Sequence, residues 1–236
     1  MLTELLRGSF SQMDLIFLLL SIPVVLFSLS FHEAAHGFIA GKLGDPTARY
    51  HGRVTLNPIK HFDLIGSLSM LFLGIGWAKP VPINPRHFRN PKKGMALTGL
   101  AGPVSNLILA FAAILVYRIM AAVLPLRVFF MNGVMYYTNE ALQLVDILAL
   151  FFMNMASMNV ALAVFNLIPV PPFDGSRVFY FLLPDRYYFG VMRYERTIMI
   201  VTMLLLFSGI LDMPLTLARS AVIGLFEFII GLVPFL

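Results

Sequence analysis

The most constraining feature of this 236-residue sequence is an apolar run between Asp14 and Lys42 in which Glu33 is the single charged side chain. A bilayer core requires roughly 20 apolar residues in a helix, so the run predicts a membrane-spanning helix that tilts or protrudes at one end. His32 and His36 lie in the same run. An ionisable side chain at the centre of a membrane helix costs about 2.5–3.5 kcal/mol on insertion scales, so these polar groups need a compensating partner such as a metal ion.

The three polar residues form the pattern H-E-x-x-H within SLSFHEAAHGFIAG. Residues four apart lie above one another on a helix, so His32 and His36 share a face, and Glu33 borders it. This spacing is typical of zinc peptidases, in which the histidines bind the metal and the glutamate is the general base. The alternative is that the three side chains make buried polar contacts between helices.

Composition assigns the whole chain to the membrane class. Hydrophobic residues make up 59% of the sequence and charged residues 12%, which is too apolar for a water-soluble domain of this length. The net charge of +5 comes from basic residues in a few loops, so membrane orientation explains it better than nucleic-acid binding. The absence of cysteine excludes disulfides and thiolate metal ligands. No small-residue cleavage site precedes the histidines, so we expect no removable signal peptide.

The other apolar runs predict an all-α polytopic membrane protein with about five transmembrane helices. After the first span, the others are expected over residues 95–123, 142–168, 197–211 and 215–236. The run from Leu64 to Trp77 is too short to cross and predicts a re-entrant or interfacial segment. Alternation around Val81 and Ile83 in the proline-rich stretch that follows suits short β-strands. We expect residues 1–236 to form a single membrane-embedded domain.

A second informative stretch, NLIPVPPFDG, runs from Asn166 to Gly175. Its prolines end the preceding helix and leave irregular backbone, which is tolerated at membrane depth only against protein or a polar cavity. Asp174 would then offer a carboxylate to that cavity; alternatively it caps a helix that begins near Ser176. In the second span we interpret Pro103 and Asn106 as a kink with local hydrogen bonding.

Five motifs occur in a fixed order between residues 31 and 177: FHEAAHG, RVTLNPIKHFDLIGS, GWAKPVPINP, AGPVSN and FNLIPVPPFDGSR. In this combination the chain resembles the site-2 proteases, which are intramembrane zinc metallopeptidases, and it is similar to their compact prokaryotic members. The resemblance covers most of the chain. It implies the membrane core alone, without the appended PDZ-like or CBS-like domain of some relatives.

The resemblance also implies roles for individual residues. His32, His36 and Asp174 would bind one Zn²⁺ per chain, and Glu33 would act as the base. Asn166 would help to bind the polarised carbonyl beside the metal. The GWAKPVPINP segment would present the substrate as an extended chain.

The predicted function is therefore that of an intramembrane zinc endopeptidase, which hydrolyses a peptide bond in or near a transmembrane segment of a membrane protein during regulated intramembrane proteolysis. Its partners would be that substrate and the lipid bilayer, with no nucleic acid; a homo-oligomer or a regulatory membrane partner stays open. One alternative is a membrane zinc peptidase of the HtpX or Ste24 type, with Glu140, Glu195 or Glu227 as third ligand. Another is a non-enzymatic metal carrier, although such a site needs no base beside its ligands.

Loop charge predicts the orientation in the membrane. If the segment from Leu64 to Trp77 enters and returns on one side, residues 42–93 and 177–196 share a face and hold most of the 17 Lys and Arg residues. Basic loops remain cytoplasmic. We therefore expect a prokaryotic plasma-membrane protein with the active site toward the cytoplasm and the N-terminus outside.

Overall fold

The computed structural model describes residues 11–73, 77–131, 134–137, 142–184 and 193–233. Helices dominate this part of the chain, and one antiparallel hairpin accompanies them. In chain order the elements are α1 (Gln12–Lys42), α2 (Thr47–Tyr50), α3 (Pro58–His61), α4 (Leu64–Leu73), a 3₁₀ turn (Pro85–His87), α5 (Pro91–Val123), β1 (Val128–Met131), β2 (Val134–Tyr137), α6 (Leu144–Asn166), α7 (Gly175–Leu182), α8 (Glu195–Phe207) and α9 (Asp212–Gly231).

Four helices, α1, α5, α6 and α9, are long and apolar enough to cross a membrane. They coincide with four of the five predicted spans. The remaining predicted span coincides with α8, which has 13 residues. At 1.5 Å per residue α8 extends about 20 Å, less than the roughly 30 Å of a hydrocarbon core. The described residues therefore form a mostly helical protein with four candidate membrane spans.

The centre of the fold is the packing of α1, α5 and α6 against one another. Ala149, Ala156 and Ala163 are fully buried on α6 and are spaced seven residues apart, so they form one face of that helix. Ala110 and Ala113 of α5 are also buried. Small side chains let helix backbones approach closely, which is the main source of helix association where lipid is as apolar as the side chains.

Helix α4 and the extended chain after it lie beside α1. Met70 of α4 is buried with Val25 and Leu29 of α1, so α4 packs one face on the first span. Residues 77–84, here called the extended segment, form no helix; Pro80 and Pro82 favour extended backbone in the residues before them, and the described chain pairs no strand with this segment. Pro80 and Pro82 have no N–H to donate to a ladder. The short strands expected there are not found, and the hairpin instead joins α5 to α6.

Candidate metal centre

The two histidines of α1 lie side by side near the end of the helix. Both side chains are buried, and their rings meet edge to face with centroids 4.6 Å apart. This is the arrangement expected for residues four apart on one helix face. Their surroundings decide which ring atoms are available for chemistry.

One face of α5 receives both rings. Thr98, Gly102 and Asn106 are spaced four residues apart, so they form a single stripe along that helix. The His36 Nδ1 atom lies 2.7 Å from the Thr98 carbonyl oxygen, and the His32 Nδ1 atom lies 2.6 Å from the Asn106 Oδ1 atom. A Cβ atom at Gly102 would lie 2.4 Å from His32 Cε1. Glycine at this position therefore leaves the space that the imidazoles occupy.

These contacts suit one tautomer of both histidines. Both Nδ1 atoms face oxygen acceptors inside the protein, so a ring that donates from Nδ1–H has its Nε2 lone pair for a metal ion. The His32 Nε2 and His36 Nε2 atoms lie 3.0 and 3.3 Å from the same oxygen, Asp174 Oδ2. These two nitrogens and one carboxylate oxygen form a group of ligand atoms that could hold a metal ion. The donor set and the second contacts of the rings therefore fit a metal ion such as zinc.

The polypeptide between α6 and α7 brings Asp174 to the histidines. Asp174 is the N-cap residue of α7, but its side chain makes no capping hydrogen bond. A Cβ atom at Gly175 would lie 2.3 Å from the Leu167 carbonyl oxygen, so glycine is required where the chain folds back on the end of α6. The carboxylate is therefore directed to the histidines, and the capping alternative does not describe its contacts.

Glu33 lies beside the histidines and contacts the extended segment. Its Oε2 atom accepts a hydrogen bond of 3.0 Å from the backbone N–H of Val81. Val81 stands between two prolines, so it carries the one N–H of the Pro80–Val81–Pro82 sequence. A carboxylate held in this way has a fixed direction, while its second oxygen has no protein partner among the described residues.

Two asparagines lie near the histidines, the predicted Asn166 and also Asn106. Asn166 lines the same cavity as the histidines, and its Nδ2 atom donates to the Leu162 carbonyl oxygen of its own helix at 3.0 Å. Asn106 is buried in contact with His32 and donates to Asn159 Oδ1 at 2.7 Å. Asn159 in turn donates to Ser28 Oγ at 2.8 Å. The resulting chain of polar groups links α1, α5 and α6, and sequence reasoning treated Asn106 only as part of a kink.

The other candidate ligands lie elsewhere. Among the described residues, the one group of three metal-ligating side chains is His32, His36 and Asp174, whose ligand atoms lie within 4.8 Å of one another. Glu195 lies 3.8 Å from Arg177 in an ion pair, and Glu227 is on α9 outside the cavity lining. Glu140 falls outside the described residues.

A cavity of about 890 Å³ opens over the three ligands. Apolar side chains from α8 and α9, including Met203, Leu206 and Leu215, form its far wall. The extended segment supplies another wall through Pro80, Val81 and Ile83. The cavity is large enough for several residues of an unwound peptide beside the candidate ligands.

Comparisons with known proteins identify the family of the chain. The sequence model described as Peptidase family M50 matches residues 20–209. A Bacillus subtilis protein named "Putative zinc metalloprotease YwhC" is 40% identical over 161 residues, which are 68% of this chain and 67% of that protein. Proteins named "Putative zinc metalloprotease Rip2" from Mycolicibacterium smegmatis and Mycobacterium tuberculosis are 28% identical over 155 and 156 residues, or 52% of their length. The chain thus spans about half the length of the Rip2 relatives.

No solved structure shows a significant match to the chain. The family match extends over most of the sequence and includes both histidines, Glu33 and Asp174. The chain therefore belongs to peptidase family M50, the site-2 protease family that its motifs resemble.

Proposed function

We propose that this metalloprotease is an intramembrane endopeptidase that cuts a peptide bond in or near a transmembrane segment of another membrane protein. One observation carries the proposal: the two Nε2 atoms and the Asp174 carboxylate converge inside a largely apolar cavity, with Glu33 beside them. In this proposal His32, His36 and Asp174 bind one zinc ion per chain, which supplies Lewis acidity to the site.

Glu33 is the proposed general base. It takes a proton from the attacking water and returns it to the leaving amine, a role that typically contributes about 10²- to 10⁴-fold to the rate. The hydrogen bond from the Val81 N–H to Oε2 orients the carboxylate for this transfer. Asn166 is the proposed donor to the substrate carbonyl, since its side chain lines the cavity and its Nδ2 atom carries a second N–H.

The proposed setting is a prokaryotic plasma membrane with the metal centre toward the cytoplasm. In this proposal residues 1–236 act as one domain, the fifth span consists of α8 together with the residues that follow it to 211, and α4 is a re-entrant or interfacial segment. The exposed apolar side chains of α4, Leu64, Ile65 and Leu68, support contact of α4 with lipid. A transmembrane helix hides its carbonyls in hydrogen bonds, so the substrate must unwind locally before cleavage. A homo-oligomer or a regulatory membrane partner is compatible with this arrangement.

The decisive variant is Glu33→Gln. The amide has nearly the size of the carboxylate but cannot accept the proton, so we expect full zinc content and a loss of cleavage of about 10²-fold or more. Cleavage of a transmembrane model substrate in proteoliposomes and the zinc content of the purified protein measure the two effects. Glu227→Gln, the same change on α9 away from the cavity, is the matched control. Near-normal cleavage by Glu33→Gln would overturn the proposal.

A further inference from the structure

A second pocket lies on the outside of the extended segment. It has a volume of about 480 Å³ and is lined by His51, Arg53, Ile59, Lys60, Lys79 and Pro82. Two loops meet there, the one after α2 and the one that carries Val81. The Lys79 N–H donates to the carbonyl oxygen of His61, the last residue of α3, at 2.9 Å and so joins the extended segment to α3.

The cations of this pocket lack negative partners. No carboxylate is among the lining residues, and no ion pair in the described part of the chain involves Arg53, Lys60 or Lys79. The Lys60 and Lys79 side chains are exposed. Like charges that gather without a counter-charge attract an anion from outside the chain.

Arg53 shows that the pocket is a built feature and not a chance group of surface lysines. Its side chain is buried, at 8% exposure. One of its nitrogens, Nη2, donates to the Lys79 carbonyl oxygen, and the buried Nε atom has no acceptor among the described residues. A buried guanidinium without a carboxylate is costly, so an external anion near it would offset the uncompensated charge.

Exposed apolar side chains, here called the apolar border, are close to the cations in the sequence, and Ile59 among them lines the pocket. Tyr50 is 82% exposed and Ile59 is 81% exposed, and Leu56 and Phe62 are also exposed. Aromatic and aliphatic side chains next to lysine and arginine are typical of the membrane interface, where rings and alkyl groups enter the acyl region and the charges meet the headgroups. The neighbouring helix α4 exposes apolar residues as well.

We propose that this pocket binds the phosphate of an anionic phospholipid headgroup, with Lys60 and Lys79 as its exposed ligands and Arg53 as the charge at its base. The apolar border receives the acyl chains. A free phosphate ion would pair with the cations but would make no contact with the apolar border.

The pocket also shares a wall with the metal centre. Lys79 precedes by two residues Val81, whose N–H binds Glu33, and Arg53 holds the Lys79 carbonyl oxygen. A lipid bound to Lys79 therefore restrains the same extended segment that orients the proposed base. This consequence depends on the proposed function, whereas lipid binding itself does not.

The test uses the fluorescence of the complete protein in vesicles. Trp77 is the one tryptophan of the chain, is 51% exposed and precedes Lys79 by two residues. The protein is reconstituted in phosphatidylcholine with a minor fraction of phosphatidylglycerol. In one set of vesicles the acyl chains of phosphatidylcholine are brominated, and in the other set those of phosphatidylglycerol are brominated. Brominated phosphatidylglycerol should quench Trp77 more than its mole fraction predicts.

The double variant Lys60→Gln, Lys79→Gln should lower the relative affinity for phosphatidylglycerol roughly 10- to 30-fold, since each basic residue near an anionic surface contributes about fivefold. Arg86→Gln with Arg89→Gln removes the same charge at exposed positions outside the pocket and should retain selective quenching. Replacing both lysines by arginine keeps the charge and should also retain it.

Three results would overturn the proposal. The first is quenching of Trp77 in the unmodified protein that is no greater than the mole fraction of brominated phosphatidylglycerol predicts. The second is an equal loss of selectivity in the Arg86 and Arg89 control, which would indicate a diffuse charge effect. The third is loss of selectivity with excess inorganic phosphate, which would indicate a free-anion site. None of these results depends on proteolysis, so the failure of this inference is distinguishable from failure of the proposed function.

Discussion

Asp174 has two possible roles, as a metal ligand or as a helix cap, and the contacts of its side chain distinguish them. Its Oδ2 atom lies within 3.3 Å of both histidine Nε2 atoms, and it makes no capping bond. Loss of one ligand of three should remove most bound zinc, whereas loss of a cap would cost only about 0.5–2 kcal/mol of stability.

We therefore expect Asp174→Ala to be purified as folded protein with little zinc and no cleavage activity. Zinc content, measured by elemental analysis on the monodisperse fraction, checks this outcome. Asp212→Ala changes another carboxylate that lines the cavity and should keep its zinc. A zinc-replete Asp174→Ala protein would favour a glutamate as third ligand.

Asn106 holds the His32 ring through the nitrogen that does not face Asp174. A partner of this kind sets the tautomer and orientation of a ligand, and its removal typically costs about 10- to 100-fold in metal affinity. Asn106→Leu should therefore weaken zinc binding by that factor in competition with a chelator. Asn154→Leu is the matched control. It removes another amide of α6, which donates a hydrogen bond to Ser21 of α1. Equal zinc affinity in both variants would show that the Asn106 contact does not tune the site.

At the scale of elements, α5 organises the site although it contributes no ligand. Its stripe of Thr98, Gly102 and Asn106 receives both histidine rings. Gly99, on the neighbouring edge of the same helix, would place a Cβ atom 3.1 Å from the Asp174 carbonyl oxygen. Small residues on one helix therefore bring α1 and the start of α7 to the same point.

The buried carboxylate of Asp45 joins the loop after α1 to the 3₁₀ turn before α5. It accepts hydrogen bonds from Thr47, from the Asn84 N–H at 2.7 Å and from His87 Nδ1 at 2.8 Å. Burial opposes its ionised form, but these hydrogen bonds outweigh burial and lower the pKa of Asp45 from 3.8 to about 2. The ionised carboxylate therefore stabilises the connection between the two loops.

Asp45→Asn should lower the free energy of unfolding by about 1–3 kcal/mol at neutral pH, because the amide cannot accept all of these bonds. The folded pKa lies below the unfolded value, so the carboxylate contributes fully above pH 3.8 and its contribution is lost as pH falls through about 2. Melting temperatures of the two proteins in one detergent should converge over that interval. Asp63→Asn, at a carboxylate that caps α4, controls for the lost charge. A constant difference at all pH values would contradict this account.

At the scale of the whole molecule, the proposed orientation is tested by single cysteines in a chain that otherwise has none. Asn90 and Tyr136 are exposed positions at opposite ends of α5. With the metal centre toward the cytoplasm, Tyr136→Cys should react with an impermeant thiol reagent in intact cells, and Asn90→Cys only after permeabilisation. The reverse labelling pattern would show that the protein has the opposite orientation in the membrane.

The sequence by itself determined the features that depend on local order along the chain. Apolar runs of sufficient length predicted the four candidate spans, and the H-E-x-x-H spacing put His32 and His36 on one helix face. The proline-rich stretch marked Asp174 because prolines must end a helix wherever they occur together. A family resemblance then joined these segments into one site.

Only the tertiary structure decided which distant groups meet. Asn106 contacts His32 across 74 residues of sequence, Val81 contacts Glu33 across 48, and Arg53 shares a pocket with Lys79. The sequence around Asn106, Val81 and Arg53 has no local pattern that predicts which residues they contact. Helix packing determines those contacts. The small residues of α5 set how closely α1 approaches, and the approach sets which polar atoms come within hydrogen-bonding distance.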